Sequence, residues 1–421
     1  MSISLIPPKG TSDRFPQEYK LRSAIFSVWR KVCQSFGYEE YLGPIVEYAD
    51  VYRAKSGEDV GGSELTIIVD RAGRELALRP EMTPTVTRMV ASRYAQLPKP
   101  VRYFSIANFF RNERPQRGRN REFRQLNFDC FGSQSLFADS EVIQMGIEIM
   151  LGYGAPKNSF VVYLNDRRVI DVFLHETVGL DANHKKEAVR VMDKWEKLMR
   201  EDFEKTLLEK GLTGEQIKLI VEFLENDSLE NLGEIGADLK KVYDHLCDLG
   251  YKDYIQFKGS LMRGFDYYDG IVFEFFDTHP DNRRAMFGGG RYNGLATVFG
   301  VDAFPAVGAA PGDEPAKLFI ESWGLSDSLI NRFTQKSTYY VPLLVDEAQI
   351  TLHHIAQELR EKNNTVVIAS LEMKKLSKAI EFADKQGYDY IVILGGNELG
   401  KGIYQIKDLK SGEVKSVELR L

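Results

Sequence analysis

The sequence predicts an α+β protein, and three observations lead to this prediction. Residues 101–131 contain two extended runs joined by a polar turn, which is the pattern of a long antiparallel hairpin. Residues 254–308 are extended and punctuated by glycine, with no helical stretch between the runs, which favours further antiparallel strands. The last part of the chain alternates strand and helix patterns, which predicts a separate small α/β domain.

Residues 1–174 are predicted to form the first part of the core. Apolar residues at helical spacing indicate a helix over 19–37 that Gly37 ends. Helical spacing recurs twice more, and short extended runs lie between turn residues. In chain order the remaining elements are strands at 43–47, 65–70 and 75–78, a helix at 83–94, the hairpin, a helix at 139–153 and a strand at 159–164.

Residues 175–250 are highly charged, helical in pattern and poor in strand signals, so we interpret them as a helical insertion domain. Residues 251–325 are predicted to complete the core. The C-terminal domain is placed at residues 338–421. Its predicted elements are strand 339–345, helix 348–362, strand 365–369, helix 373–386, strand 390–394 and a hairpin over 402–419.

Composition excludes several classes of protein. The chain has 421 residues and a net charge of −6, so its surface is not uniformly basic. Cys33, Cys130 and Cys247 lie far apart, which excludes a disulfide framework and a close-spaced zinc set. No signal peptide and no apolar run of membrane-spanning length is evident. We therefore expect a cytoplasmic protein that has no membrane segment and no protein-held metal.

The predicted hairpin is a local exception to the acidic balance. Between residues 101 and 124 there are seven arginines and two glutamates, a net charge of +5. The second strand places Phe123, Gln125, Asn127 and Asp129 on one face by alternation. An aromatic ring, an amide and a carboxylate beside arginines can stack a base, hold phosphate and capture a zwitterion. The alternative is a charged surface hairpin.

A glycine-rich phosphate loop is absent from the sequence. No Gly-x-x-x-x-Gly-Lys-Ser/Thr pattern occurs, and Gly288-Gly289-Gly290 is not followed by helical periodicity. A nucleotide would therefore have to be held by side chains.

Four segments together resemble the histidyl-tRNA synthetase family of class II aminoacyl-tRNA synthetases. Phe110-Arg-Asn-Glu-Arg-Pro-Gln-Arg-Gly-Arg119, with Arg121-Glu-Phe-Arg-Gln-Leu126, resembles motif 2, and Gly43-Pro-Ile-Val-Glu47 resembles motif 1. Leu78-Arg-Pro-Glu-Met-Thr83 resembles the loop that receives the amino group of histidine, and Arg263-Gly-Phe-Asp-Tyr-Tyr268 resembles the histidine signature. The resemblance implies an antiparallel sheet flanked by helices, a helical insertion and an anticodon-binding C-terminal domain.

The resemblance also implies roles for individual residues. Histidine would be bound by Glu81, Thr83, Gln125, Asp129, Arg263, Tyr267 and Tyr268, with Glu81, Thr83 and Gln125 at its ammonium and Asp129 and Tyr268 facing its imidazole. ATP would be bound by Arg111, Glu113, Arg119 and Phe123. Arg263, Arg111 and Gln125 would be the catalytic residues. Alternation along a strand also predicts that only one of the adjacent Tyr267 and Tyr268 contacts the ligand.

The sequence departs from the family pattern at two places. Asp129 stands where most relatives carry glutamate, and this shorter side chain bears on histidine specificity. Pro315 stands where the ATP-binding arginine of motif 3 is expected, and proline cannot bind phosphate. The substitutes that the sequence offers are Arg283, Arg284, Arg291 and Lys317.

The partners implied by the resemblance are L-histidine, ATP, tRNA(His) and a second copy of the chain, with Mg²⁺ accompanying ATP. Gln116 and Arg117 would meet the acceptor end of the tRNA, and Pro44 would mark the dimer interface. Residues 338–421 carry eleven basic and twelve acidic residues, so anticodon binding there would rest on a local patch. The candidate patch is Lys374, Lys375 and Lys378.

Two functions remain open at this level. The first is ATP-dependent activation of histidine and its transfer to tRNA(His). The second is a catalytically silent paralogue that serves as a regulatory subunit of ATP phosphoribosyltransferase, which the proline at position 315 favours. The histidine signature at 263–268 disfavours a prolyl- or threonyl-type relative.

Overall fold

The computed structural model describes residues 3–54, 56–57, 59–225, 228–261, 267–282, 284–334 and 336–419. The chain divides into two compact units, Met1–Ile330 and Asn331–Leu421. Each unit has its own sheet and its own hydrophobic core.

The strands of the first unit lie in two sheets. In chain order they are β1 (Glu39–Glu40), β2 (Val46–Tyr48), β3 (Thr66–Val69), β4 (Glu75–Leu78), β5 (Val101–Phe110), β6 (Glu122–Phe131), β7 (Phe160–Asp166), β8 (Ile255–Phe257), β9 (Ile271–Asp277), β10 (Ala285–Arg291) and β11 (Ala306–Ala309). The large sheet has the order β1-β5-β6-β11-β10-β9-β7-β8, and the small one has the order β2-β4-β3. The predicted α+β class is confirmed.

The helices that accompany these strands are, in chain order, α1 (Pro16–Ser35), α2 (Ala49–Arg53), α3 (Thr83–Ala91), α4 (Leu136–Gly152), α5 (Arg167–Val172), α6 (Ala182–Met192), α7 (Arg200–Glu209), α8 (Gly214–Glu225), α9 (Ala237–Asp248), α10 (Asp313–Ser322) and α11 (Ser326–Thr334). Helix α4 begins before the predicted Asp139 because Ser135 caps it by accepting a hydrogen bond from the Phe137 amide at 3.2 Å.

Hydrophobic layers cover both faces of the large sheet. On one face α1, α4 and α9 pack together, with Trp29 and Ile143 fully buried against Phe128 of β6. On the other face Val86 of α3 packs near Phe109 and Tyr292. Alternate residues of a strand point to opposite faces, and both faces of the central strands are covered. The polar side chains on these strands are therefore buried.

The expectation of antiparallel pairing over 254–308 is confirmed for β9, β10 and β11 but is wrong for β8. Strand β8 pairs parallel with β7, with Val162 opposite Ile255. The mostly helical segment 167–254 separates these two strands, and a long crossover is what allows parallel neighbours. Part of this segment forms an apolar cluster that includes Leu174, Phe203 and Ile220, whereas Leu239 and Val242 of α9 belong to the main core.

The second unit is a small α/β domain. Its elements are β12 (Ser337–Leu343), α12 (Gln349–Arg360), β13 (Thr365–Met373), α13 (Leu376–Lys385), β14 (Tyr390–Ile393), α14 (Gly396–Gly400), β15 (Ile403–Asp408) and β16 (Val414–Glu418). Strand β12 runs parallel to both β13 and β14, whereas β14, β15 and β16 are antiparallel. The predicted C-terminal hairpin is confirmed.

Candidate active site

The hairpin of β5 and β6 supplies one wall of the candidate site. The two strands pair along their whole length, from Val101 opposite Phe131 to Phe110 opposite Glu122. Leu126 and Phe128 point into the main core, while Gln125 and Asn127 line a cavity on the opposite face. The two-faced strand expected from the sequence is therefore confirmed.

The cavity on the polar face, which we call the inner cavity, has a volume of about 210 Å³. It brings together residues from β6, β9, β10, β11 and the segment before α3. The polar and aromatic residues that line it include Glu81, Thr83, Arg111, Gln125, Asn127, Tyr267, Tyr268, Glu274 and Tyr292. A volume of this size fits an amino acid, and all lining residues belong to the first unit.

Two tyrosines hold two buried carboxylates beside the inner cavity. The Tyr267 hydroxyl donates to Glu81 Oε2 at 2.9 Å, and the Tyr292 hydroxyl donates to Asp129 Oδ1 at 2.6 Å. Glu81 is 3% exposed and Asp129 is 1% exposed. Burial raises the pKa of Asp129 from 3.8 to about 7, an effect that the Tyr292 hydrogen bond opposes and the charge of Glu81 reinforces.

Several buried acceptor atoms near the inner cavity have no donor within the described residues. They are Oε1 of Gln125, Oδ1 of Asn127 and Oδ2 of Asp129. The amide of Gln125 is fixed because its Nε2 donates to the Ala310 carbonyl at 2.9 Å. An unsatisfied buried acceptor costs about 1–3 kcal/mol, so this row of acceptors fits a ligand that brings N–H donors.

Next to the inner cavity lies a second one of about 140 Å³, which we call the outer cavity. Arg111, Arg119 and Gln125 line both cavities. The guanidinium carbon of Arg111 lies 5.1 Å from the centre of the Phe123 ring, and its Nε donates to the Pro80 carbonyl at 3.0 Å. Burial lowers the pKa of Arg111, which favours an anionic ligand that replaces its lost hydration.

The turn between β5 and β6 carries the remaining basic residues. Gln116 and Arg119 exchange backbone hydrogen bonds at 3.0 and 2.9 Å, and Gly118 provides the left-handed residue with φ 78°. Arg119 Nη1 donates to Glu113 at 3.2 Å. Gln116, Arg117 and Arg119 line a third cavity of about 500 Å³, which we call the loop cavity.

Pro315 lies where the outer and loop cavities meet, in the first turn of α10. Of the four cationic residues that the sequence offered in its place, Arg284 lines the loop cavity. Arg291 is buried and binds Asp139 through Nε at 2.9 Å, which rules out its participation, and Lys317 pairs with Glu321 at 3.3 Å. Arg283 lies outside the described residues.

The predicted site residues are largely brought together. Glu81, Thr83, Gln125, Tyr267 and Tyr268 line the inner cavity. Both tyrosines line the cavity, and neither lies in a strand, since β9 begins at Ile271, so the argument from alternation does not apply to them. Arg263 lies outside the described residues, and Asp129 stands behind the lining rather than in it.

Three polar residues that line the inner cavity, Asn127, Glu274 and Tyr292, were missing from the predicted site. Asn127 was detectable, because it alternates with Gln125 on the polar face of β6. Glu274 of β9 and Tyr292, which follows β10, carry no local signal, since they reach the cavity only through the pairing of β10 with β9 and β11. Tertiary pairing, and not sequence spacing, places them there.

Residues predicted for other contacts lie on two separate surfaces. Pro44 is exposed, and its carbonyl accepts from Arg79 at 3.2 Å. In the second unit, Lys374 Nζ lies 4.0 Å from the Phe382 ring centre, Lys378 pairs with Glu381 at 2.6 Å, and Lys375 is exposed at the start of α13.

The described residues carry neither a membrane-spanning helix nor a metal-binding cluster of acidic, histidine and cysteine side chains. No helix within the described ranges is both long and apolar enough to cross a bilayer. The same residues contain no group of three or more His, Cys, Asp or Glu side chains arranged to hold a metal ion.

Comparison with known proteins gives a consistent result. A family model described as histidyl-tRNA synthetase matches residues 10–312, and one described as an anticodon binding domain matches residues 339–420. The histidine--tRNA ligase of Leptospira biflexa is 37% identical over 411 residues, covering 96% of this chain and 93% of the relative. That of Thermococcus kodakarensis is 34% identical over 433 residues, covering 97% and 95%.

Solved structures agree on the fold. A histidyl-tRNA synthetase from Nostoc superposes with a TM-score of 0.81 at 24% identity, covering 99% of this chain and 97% of that one. A Bacillus halodurans protein titled an ATP phosphoribosyltransferase regulatory subunit/histidyl-tRNA synthetase has a TM-score of 0.72 at 21% identity, covering 93% and 98%. The fold is that of the class II aminoacyl-tRNA synthetases. The chain belongs to the histidyl-tRNA synthetase family of enzymes.

Proposed function

We propose that the protein joins L-histidine to tRNA(His) in two steps, as a cytoplasmic homodimer. In the first step the histidine carboxylate attacks the α-phosphorus of ATP and pyrophosphate leaves. In the second a terminal ribose hydroxyl of the tRNA attacks the carbonyl carbon of the histidyl-adenylate, an ester forms and AMP leaves. The observation that supports this most is the pair of donor-less acceptors of Gln125 and Asn127 in a cavity that the carboxylate of Glu81 also lines, with Asp129 Oδ2 behind them.

The inner cavity suits the cationic groups of histidine. Glu81 supplies a negative charge that Tyr267 orients, and Gln125 Oε1 supplies an acceptor fixed by the bond to Ala310. These groups, with Thr83, would bind the α-ammonium. The imidazole would then lie toward Asn127 and Tyr292, with Asp129 behind Tyr292 and Tyr268 beside it. A site built to satisfy ring N–H groups rejects apolar side chains of similar size.

The outer cavity suits ATP. Phe123, which lines the outer cavity, would stack on adenine, Glu113 would accept from the adenine amino group, and Arg111 would contact the α-phosphate between the two cavities. Arg119 and the predicted Arg263 would stabilise negative charge on the phosphates. The reaction then depends on positioning and electrostatics, with no covalent enzyme intermediate.

Mg²⁺ would enter with the nucleotide. Asp277 lines the loop cavity, but its oxygens are engaged with Trp323 Nε1 at 2.9 Å and with Asn282. Because the described residues hold no carboxylate cluster for a metal, the phosphates of ATP would supply most ligands of the ion. We assign no step to it.

The tRNA would be met in both units. Gln116 and Arg117, which line the loop cavity, would contact the acceptor end. In the second unit, exposed Lys375 lies near exposed Leu371 and Met373 at the end of β13, a mixed basic and apolar surface suited to splayed anticodon bases. Lys374 and Lys378 flank it.

The dimer proposal is supported by the small sheet. Leu42 is 75% exposed and Val69 is 62% exposed, with Ile45 and Tyr48 also exposed near Pro44. Apolar groups that cluster at one sheet are typical of a surface that another chain covers.

A regulatory paralogue is the competing function. Pro315 favours it, and the Bacillus halodurans neighbour carries both descriptions in its title. The positions of Glu81, Arg111 and Gln125 around two adjoining cavities, and the match of residues 339–420 to an anticodon binding domain, favour catalysis.

Histidine-dependent exchange of pyrophosphate into ATP tests the proposal. The purified protein should exchange pyrophosphate with histidine and not with proline or threonine. Binding of histidine without exchange would instead support the regulatory paralogue.

Removal of residues 338–421 should separate the two steps. The first unit has its own core and holds all three cavities, so exchange should persist within about threefold. Aminoacylation of tRNA(His) should fall by about 100-fold or more, since a lost recognition surface costs several kcal/mol. Equal loss of both activities would contradict this division of labour.

Replacing Arg284 with alanine should raise the KM for ATP about tenfold, because a lost charge-assisted contact to phosphate costs about 1.5–3 kcal/mol. Arg284 lines the loop cavity beside Pro315, and no described carboxylate forms an ion pair with it. Lys317→Ala is the matched control, since Lys317 pairs with Glu321 and should leave the KM unchanged. Equal effects of the two variants in the exchange assay would exclude Arg284 as a phosphate ligand.

A further inference from the structure

The N-terminal segment 8–14 lies against the hairpin turn that lines the outer cavity. The amide and hydroxyl of Thr11 both donate to the Pro8 carbonyl, at 3.0 and 2.7 Å, which bends the segment into a turn. The Gly10 carbonyl accepts from the amides of Arg121 and Glu122, at 2.8 and 3.2 Å. One carbonyl of the segment thus holds the point where the turn enters β6.

Gly10 also fits against the turn with no space for a side chain. Its φ is 90°, and a Cβ there would lie 2.8 Å from Cγ of Arg121 and 2.8 Å from Cγ of Pro115. The proline ring cannot rotate away, and Cγ of Arg121 lies close to the backbone. A methyl group at position 10 must therefore displace the turn, the segment or both.

A second anchor ties the other end of the segment to the same turn. Oε1 of Glu314 accepts from Arg14 Nη2 at 2.6 Å, from Arg22 Nη2 at 2.8 Å and from Asn120 Nδ2 at 2.8 Å. The Glu314 side chain is only 12% exposed, so these charge-assisted bonds are shielded from solvent. Asn120 lies in the turn, and Arg14 ends the segment.

Both anchors adjoin residues that line the outer cavity. Glu113, Arg119 and Asn120 belong to the cavity lining, and Arg121 Nε donates to the Glu113 carbonyl at 3.2 Å. Gly10 and Arg14 themselves are not part of that lining. The segment therefore bears on the shape of the cavity through the turn and through Glu314, which also lines the cavity.

We propose that residues 8–14 form a positioning strap, which holds the turn 111–121 in the conformation that binds the nucleotide. This inference rests on the proposed function for the identity of the nucleotide, ATP. Gly10 and Arg14 are positioning residues, since they act through Arg121 and Glu314 and touch no reacting atom. Loosening the strap should weaken ATP binding and leave the inner cavity, and so histidine binding, intact.

Gly10→Ala and Gly73→Ala form a matched pair of variants. Both glycines have a positive φ, 90° and 78°, so both substitutions carry the same backbone strain. A Cβ at Gly73 meets nothing within 4 Å, whereas one at Gly10 meets the turn. A difference between the two variants in the KM or Kd for ATP therefore reports the steric displacement at the turn, and not the backbone strain that both variants share.

Exchange kinetics and calorimetric ATP binding on the full chain test the strap. Gly10→Ala should raise the KM and the Kd for ATP about tenfold over Gly73→Ala, because misplacement by about 1 Å costs up to about 100-fold. The KM for histidine should stay within about twofold. Arg14→Ala should reproduce the effect and Arg14→Lys should restore part of it. Indistinguishable ATP constants for Gly10→Ala and Gly73→Ala, or an equal rise in both KM values, would overturn the proposal.

Limited trypsin digestion provides a readout that does not depend on activity. The turn holds trypsin sites at Arg117, Arg119 and Arg121, and cleavage there should be faster in Gly10→Ala than in Gly73→Ala. Should the parent show no histidine-dependent exchange, the proposed function fails while faster cleavage still supports the strap. Equal cleavage rates, with exchange present in the parent, contradict the strap alone.

Discussion

Replacing Glu81 with glutamine should raise the KM for histidine on the order of 100-fold, since unpairing a buried charged contact costs about 2–5 kcal/mol. The Glu81 carboxylate is 3% exposed, lines the inner cavity and accepts from the Tyr267 hydroxyl at 2.9 Å. Glutamine keeps the shape and can still accept from Tyr267, so the change removes the negative charge that faces the ammonium. The KM for ATP should change little, because Glu81 does not line the outer cavity.

Glu122→Gln is the matched control for this variant. Glu122 begins β6 on the same hairpin and accepts from Asn108 at 2.9 Å, outside all three cavities. The same change of charge there should leave both KM values unchanged in the exchange assay. A histidine KM in Glu81→Gln that equals that of Glu122→Gln would contradict the placement of the ammonium at Glu81. Tyr267→Phe should give an intermediate effect, since it removes only the orienting hydroxyl.

The hairpin shows why part of this fold and site is readable from sequence. Strand alternation over 121–131 sorts Gln125 and Asn127 from Leu126 and Phe128 without reference to any other element, and the structure confirms that sorting. Glu81 and Thr83, at the start of α3, were expected from the family resemblance and not from the residue pattern. Features within one hairpin follow from the residue pattern alone.

Features set by distant pairing were not readable. Tyr267 and Tyr268 lie 4.7 Å apart between ring centres and both reach the cavity, because the chain there is a turn and not a strand. Arg291 was a candidate phosphate ligand by its charge, but its ion pair with Asp139 spans β10 and α4. The order of β9, β10 and β11 in the sheet determines which of these residues reach the cavity, and the spacing of residues along the sequence does not encode that order.

The Asp129 carboxylate occupies space that a glycine distant in the sequence leaves open. A Cβ on Gly308 would come within 2.0 Å of Asp129 Oδ1, so the glycine of β11 makes the room that the carboxylate occupies. The carboxylate therefore lies against β11, where it accepts a hydrogen bond from the Tyr292 hydroxyl. On the proposed function, histidine recognition would then depend on Tyr292 as much as on Asp129.

Burial of Asp129 should make the free energy of unfolding fall as the pH rises, and Asp129→Asn should remove this pH dependence. The pKa of Asp129 rises from 3.8 to about 7 in the folded protein, mainly through burial. The folded state thus holds a proton that the unfolded state has already released, and this favours folding most at low pH. Between about pH 4 and about pH 7 the parent should lose stability relative to Asp129→Asn, by up to about 4 kcal/mol at about 1.4 kcal/mol per pKa unit.

Urea unfolding of the parent and of Asp129→Asn at several pH values measures this difference. Asparagine keeps the size of the side chain and can still accept from Tyr292, so the pH-dependent part of the difference isolates the ionisation of Asp129. Saturating histidine should reduce the difference above about pH 7, because a bound N–H donor near Oδ2 stabilises the carboxylate and lowers its pKa. Parallel pH profiles of the two proteins would contradict the raised pKa. If the two pH profiles diverge but saturating histidine does not reduce the difference between them, the imidazole binds away from Asp129.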